Sequence, residues 1–326
     1  MRYRLNGRLY WMAPGERLRP GDSLIEIMTK QDYASKYNML VHDHLLLKSM
    51  ENIHYCKVDL LQKCIIGTFL IPGKFSLNDS SKKCEPEKNG SVQNVVSGRS
   101  PVLACGFYMD QEKLIFIDDS GTVSKMLHEI EQIQIIDKTY VAHFLFEFME
   151  YLIKDEVEYL QGYEEKMNQV EEAILTREAV NIPSWMIARR KELMKLGAYY
   201  NQLLDMGDTM AENYNNLLNE EDCRLFKMFA DRVTRLYDYA QNLREYALQI
   251  REMYQTQIDI RQNNVMRFLT VVTTIFMPLT LIVGWYGMNF VFMPETQWKY
   301  GYPAVIAVSA VVILLEIWYF KKKKWF

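Results

Sequence analysis

The chain has 326 residues and a formal net charge of −3, enough length for two ordinary domains and no global basic field of the kind that binds nucleic acid. The balance hides an asymmetry. Residues 147–178 hold ten Asp/Glu against Lys154, Lys166 and Arg177, whereas the C-terminus reads KKKKWF; the first suits an acidic aqueous segment and the second a membrane edge.

In chain order, the N-terminal MRYRLNGRLYWMAPGERLRP lacks the apolar core of a signal peptide. The runs RLYWMA, SLIEIMT, CIIGTFLI, VLACGFYM and KLIFIDD predict strands. DYASKYNMLVHDHLLLKSMENI predicts a helix, and residues 76–100 are polar and rich in turn formers, a loose loop or insert. Residues 1–133 therefore read as an α/β cytoplasmic domain. Cys56, Cys64, Cys84, Cys105 and Cys223 have no CxxC spacing and read as reduced thiols. His42 and His44 lack a third His or a Cys nearby, so they read as a core or surface pair rather than a zinc site. No Gly-rich phosphate loop, nucleophile elbow or metal-hydrolase spacing is present, so neither an enzyme nor a cofactor is expected.

Residues 134–215 read as an acidic helical hairpin, with helices over about 137–175 and 184–206 turning at Asn181-Ile182-Pro183 and a break near Gly207. Residues 216–286 read as one stalk helix from about Glu220, roughly 65 residues and close to 100 Å long at 1.5 Å per residue. Such a helix needs partners along its length. Its last part, Phe268–Tyr286, is 19 residues without a charge, and Pro303–Phe320 is 18 residues with only Glu316. Both approach the roughly 20 residues that cross a bilayer. Glu316 lies about one turn from Lys321–Lys324, where it is expected to pair or snorkel. Arg267 precedes the first span, the lysines follow the second, and the loop 287–302 holds only Lys299. This places both termini in the cytoplasm and the loop outside, in a multi-pass protein of the cell (inner or plasma) membrane.

A stripe runs through the stalk in steps of three and four: Asp238, Asn242, Glu245, Gln249, Glu252, Thr256, Asp259, Asn263, Met266, Thr270, Thr273, Met277, Thr280, Gly284, Gly287. It contains no Lys or Arg. Small residues at a membrane seam suit close helix packing, and an acidic stripe in water suits a solvated face. One phase through both regions favours a third reading, a water-filled axis enclosed by several copies, where carboxylates concentrate divalent cations and hydroxyls or amides hold a hydrated ion. Pro278 is expected to loosen the helix beside Met277.

At the outer end of the first span stands Tyr286-Gly287-Met288-Asn289-Phe290, followed by MPE, KYGYP and YFKKKKWF. Over about Asn264–Phe326 this resembles the CorA-type magnesium transporters, with fainter likeness upstream. The resemblance implies a homopentameric, funnel-shaped channel: an α/β cytoplasmic domain, a long helical stalk continuing into a two-helix transmembrane region, and the second spans as an outer ring. It implies that Gly287, Met288 and Asn289 form the selectivity filter. There Asn289 side chains and Gly287 carbonyls would hold a hydrated Mg²⁺ through its waters, in keeping with the reluctance of Mg²⁺ to dehydrate. Met277 would be a hydrophobic constriction, Thr280 a polar ring, Glu252 the inner pore end, Lys321, Lys322, Lys323 and Lys324 a basic ring, and Glu295 an external acid. The family's other loop acid is Val291 here. VHDHLLLKS puts Lys48 where the family has an acid that senses internal Mg²⁺. Met228 takes the second such position, with Asp231 one turn on, which calls inhibition by internal Mg²⁺ into question.

The function expected is uptake of hydrated divalent cations, Mg²⁺ foremost, driven by membrane potential, with the chain itself, membrane lipid and the cations as partners. The alternatives are transport of Zn²⁺, Co²⁺ or Ni²⁺ on the same fold, and a non-conducting membrane-anchored interaction protein in which substituting Asn289 would leave ion flux unaltered.

Overall fold

The computed structural model describes the chain apart from residues 7–8, 14–15, 20, 38–39, 52, 73–102, 133–139, 177–181, 289–292, 294–297 and 324–326. The insert expected at 76–100 lies outside the described residues. The chain divides into two compact units, Met1–Ile250 and Arg251–Phe326.

The first unit is built on a seven-stranded mixed sheet. Its strands are β1 (Arg2–Leu5), β2 (Leu9–Trp11), β3 (Ser23–Met28), β4 (Lys57–Leu60), β5 (Ile65–Ile71), β6 (Leu103–Met109) and β7 (Lys113–Ile117), in the order β2-β1-β3-β7-β6-β5-β4. Only the central β3–β7 pair is parallel. All five expected strands are present. β1 and β4 were not anticipated, because each is four residues with a charge at alternate or terminal positions. The central strands are apolar on nearly every residue, as strands covered on both faces are: Ile25, Phe107, Leu114, Ile115, Phe116 and Ile117 are fully buried.

The helix expected over DYASKYNMLVHDHLLLKSMENI is two, α1 (Lys30–Lys36) and α2 (Val41–Ser49). The buried Asp43 fixes the joint: its carboxylate accepts from the Tyr33 hydroxyl at 2.8 Å and from the Leu40 N–H at 3.1 Å. After α3 (Thr122–Gln132), the long helix expected from 137 divides at Lys154–Asp155 into α4 (Val141–Ile153) and α5 (Glu156–Thr176). α4 is apolar almost all round and lies on the sheet, its Phe148 ring 4.7 Å from Phe116 and 5.6 Å from Phe69.

The break expected near Gly207 is not there, since α6 runs from Ile182 to Glu212. A Cβ on Gly207 would sit 3.1 Å from Ala230 Cβ and 3.1 Å from Phe229 Cδ1. The glycine therefore serves close approach of α6 to the next helix, α7 (Glu220–Tyr286). The chain turns instead at 213–219, where Asn213 and Asn216 adopt left-handed φ of 47° and 51°. Asn213 holds that turn by donating to the Leu218 carbonyl (2.8 Å) and accepting from the Leu217 and Leu218 N–H groups (3.1 Å each). Asn tolerates this backbone because its short amide bonds locally.

The second unit holds the rest of α7 and α8 (Gly301–Lys322), which extends the apolar run at both ends. Both helices are long and apolar enough to cross a membrane, and only 6% of each apolar window is buried, unlike the core helix of a soluble protein. Among the described residues of this unit, Val271 and Phe320 are the buried apolar ones.

Candidate ion pathway

α7 is a single 67-residue helix with one internal proline, Pro278. Between 226 and 250 it buries Phe226, Phe229, Val233, Leu236, Ala240, Leu243, Ala247 and Ile250. This is a seven-residue repeat of the kind that seats one helix face on its neighbours. The opposite phase is thereby forced outward: Asp238, Asn242, Glu245 and Gln249 are all exposed. In the second unit the same phase stays exposed through Glu252, Thr256, Asp259, Asn263, Met266, Thr270, Thr273, Met277, Thr280, Gly284 and Gly287. Each predicted stripe position thus lies on exposed surface of α7 in the single chain.

The threonine hydroxyls of the stripe bond to their own helix. Thr256, Thr270 and Thr280 donate to the carbonyls of Glu252, Met266 and Phe276, at 2.9, 2.8 and 2.7 Å, and Thr273 donates to Leu269. Sequence reasoning found these residues but not their hydrogen-bond polarity. The signal available was the residue type, since helical threonine commonly bonds four residues back.

At the outer end the Gly287 N–H closes the last turn on the Val283 carbonyl at 2.9 Å. A Cβ at Gly284 would meet open space, and one at Gly287 would lie 3.0 Å from the Val283 oxygen. The last two stripe positions of α7 therefore carry no side chain. Met288 is exposed; Asn289 and Glu295 lie outside the described residues. Ile282 and Tyr286 of α7 share a groove of about 320 Å³ with Trp298, Gly301, Ala304 and Val308, an aromatic-rimmed seam at the level of the loop.

The basic tail differs from expectation in one respect. Among the described residues Glu316 makes no ion pair, and its Oε2 is buried without a hydrogen-bond partner. One turn on stands Phe320, and the lysines turn elsewhere: Lys322 lies 5.2 Å from the Trp318 ring and Lys323 5.3 Å from that of Tyr319. These are interfacial cation–π contacts. Lys321 is exposed, and Lys324 lies outside the described residues.

In the first unit, three acids of 147–178 accept from tyrosine hydroxyls. Glu164 accepts from Tyr239 and Glu171 from Tyr246, two α7 tyrosines seven residues apart. Tyr200 of α6 donates to the buried Glu156 at 2.6 Å, and Glu150 pairs with Arg232. Burial, then the bond to Glu164 and its charge, pushes the Tyr239 hydroxyl up to about 12; burial and Glu171 do the same for Tyr246. Burial raises the Glu150 carboxyl above its ordinary value, with Arg232 opposing. Sequence reasoning missed this ladder, although the seven-residue spacing of Tyr239 and Tyr246 was readable.

Lys48 and Met228 are both exposed, and Asp231 lies 3.8 Å from Lys227. His42 sits 3.6 Å from Asp43 and beside the Tyr108 ring, while His44 is exposed. Among the described residues no group of three or more His, Cys, Asp or Glu is placed to hold a metal ion. The described cysteines, Cys56, Cys64, Cys105 and Cys223, are free thiols.

A mixed-sheet unit joined through one long helix to two apolar C-terminal helices defines an architecture that recurs in known proteins. A family model described as CorA-like Mg²⁺ transporter protein matches residues 92–322. The chain belongs to that family. It is 31% identical over 191 residues to the "Cobalt/magnesium transport protein CorA" of Thermotoga maritima, covering 59% of this chain and 54% of that one. The matched part therefore spans about half the length of that relative. The "Magnesium transport protein CorA" of Wolinella succinogenes is 46% identical over 76 residues, 23% of this chain and 24% of that one. In three dimensions the chain resembles the complete CorA magnesium transporter of Methanocaldococcus jannaschii, with TM-score 0.75 and 17% identity, over 100% of this chain and 99% of that one.

Proposed function

We propose that this chain forms a membrane channel for hydrated divalent cations, Mg²⁺ foremost, with α7 copies around the ion path and both termini in the cytoplasm. The observation that carries the reading is the exposed stripe of α7, polar, small or thioether-bearing and free of Lys and Arg from Asp238 to Gly287. Threonine oxygens on one face of an apolar span find no donor in lipid, and they find one in water when several copies turn that face inward, where the bare glycines leave room. A homopentamer with Gly287, Met288 and Asn289 at the outer mouth is the assembly proposed. Uptake is driven by the membrane potential, worth about 4.6 kcal/mol for a divalent ion per 100 mV. The acid Mg²⁺ sensors of the family are replaced by Lys48 and Met228 in this reading, so internal Mg²⁺ does not close the channel through them.

The test is uptake of Mg²⁺, Co²⁺, Ni²⁺ and Zn²⁺ into proteoliposomes by the full chain and by Asn289→Ala. Mg²⁺ influx that the substitution abolishes or renders unselective supports the reading. Equal flux in both proteins removes the filter, and faster Zn²⁺ than Mg²⁺ influx reassigns the ion.

A further inference from the structure

The last turns of α8 are two-sided. Phe320 is buried and so is Glu316 Oε2, which turns their side of the helix inward. Trp318 stands two residues from each, about 200° round the helix, and is 60% exposed. Lys322 does not swing back toward Glu316; its ammonium lies over the Trp318 ring at 5.2 Å. Lys323 takes the same place over the exposed Tyr319 ring, at 5.3 Å. A ring attracts an ammonium through its face, and the N–H groups turned away from the ring remain free to donate. Among the described residues no carboxylate pairs with Lys321, Lys322 or Lys323, and Glu316 is the only acid of α8. The described part of the chain thus leaves this charge uncompensated, beside exposed rings on a helix of membrane length.

We propose that this end of α8 binds the headgroup of an anionic phospholipid. Lys322 and Lys323 donate to its phosphate, and the Trp318 and Tyr319 rings lie along the upper part of its chains. The ring bodies suit the acyl border and the ammoniums the headgroup level just beyond it. A zwitterionic lipid is the poorer ligand, because its own choline or ethanolamine cation meets the same ammoniums, whereas a glycerol headgroup leaves the phosphate charge for them. A basic ring around the ion path would draw the ammoniums toward α7; Lys322 is instead held over Trp318, on the far side.

The test places the full chain in phosphatidylcholine vesicles containing brominated phosphatidylglycerol, whose bromine quenches tryptophan on contact, with brominated phosphatidylcholine in parallel. The quenching lost in Trp318→Tyr is the Trp318 signal. In that signal phosphatidylglycerol is expected to bind ahead of phosphatidylcholine, and Lys322→Gln to cut the preference by about fivefold, the scale of one lysine at an anionic surface. Lys323→Gln cuts it further, and Lys322→Arg keeps it. Raising the salt lowers the preference in the unsubstituted chain, an arm that needs no lysine variant. Replacing chloride by glycerol phosphate at constant ionic strength is expected to change nothing. Equal quenching by the two lipids, or a preference that survives both glutamine substitutions or high salt, overturns the proposal. Release of the lipid by glycerol phosphate reassigns the site to a soluble phosphate and overturns the lipid reading. The readout is lipid contact, so a chain that conducts no ion leaves the outcome unaltered.

Discussion

Gly67 lies in the middle of β5, between Val58 of β4 and Phe107 of β6. A Cβ there would sit 2.4 Å from the Lys57 carbonyl oxygen and 2.5 Å from Phe107 Cε1, well inside contact distance. Neither neighbour can yield locally: the Lys57 oxygen belongs to the ladder, and the Phe107 ring is fully buried and stacked on Phe69 at 5.0 Å. Gly67→Ala must therefore displace a strand, at about 3 kcal/mol, the upper end for overpacking. For a unit of this size each kcal/mol moves the melting temperature by about 2–4 °C, so the full chain in detergent is expected to melt roughly 6–12 °C lower. Gly106→Ala is the internal control. Its Cβ would meet Met50 Sδ at 2.7 Å, the far end of a flexible thioether, and the cost is expected to stay below about 1.5 kcal/mol. Scanning calorimetry or dye-monitored melting of both variants decides the matter. Equal shifts, or an unchanged Gly67→Ala, would refute the claim that the β4–β5–β6 spacing is set by the missing side chain.

Two further outcomes test the helical part. Tyr239 and Tyr246 are expected to ionise near pH 12 rather than at their ordinary value of 10.0. Their bonds then support the fold fully below about pH 10 and are lost as pH rises through 12. Ultraviolet titration of Glu164→Gln should show one tyrosine returning toward 10, and an unaltered curve would sink the pairing. Glu150 binds its proton more tightly folded than unfolded because burial outweighs Arg232. Its contribution to stability therefore falls as pH rises from about 4.5. The melting temperature of the unsubstituted chain relative to Glu150→Gln should decline between about pH 4.5 and pH 7; a difference that grows instead would mean the Arg232 attraction wins.

The sequence by itself determined the features that depend on chemical type along the chain. Membrane-length apolar runs are legible because a bilayer demands a fixed length of uncharged helix, and β2, β3, β5, β6 and β7 because they lie in bounded runs of apolar and aromatic residues. The stripe from Asp238 to Gly287 was legible because α7 keeps one 3.5-residue phase throughout. Tertiary structure decided the features that depend on what lies opposite. Gly207 looked like a helix end and is a contact point with Ala230 and Phe229, since a glycine's use is set by what approaches it. The surplus acids of 147–178 looked solvated, yet Glu156, Glu164 and Glu171 accept from tyrosines 44 to 75 residues away. Glu316 read as pairing or snorkelling among the lysines; among the described residues it makes no ion pair, Phe320 occupies the next turn, and Lys322 and Lys323 lie on aromatic rings. The polarity of Thr270, Thr273 and Thr280 belongs to the same class. A sequence specifies that a hydroxyl is present, and the folded helix decides which carbonyl it bonds to.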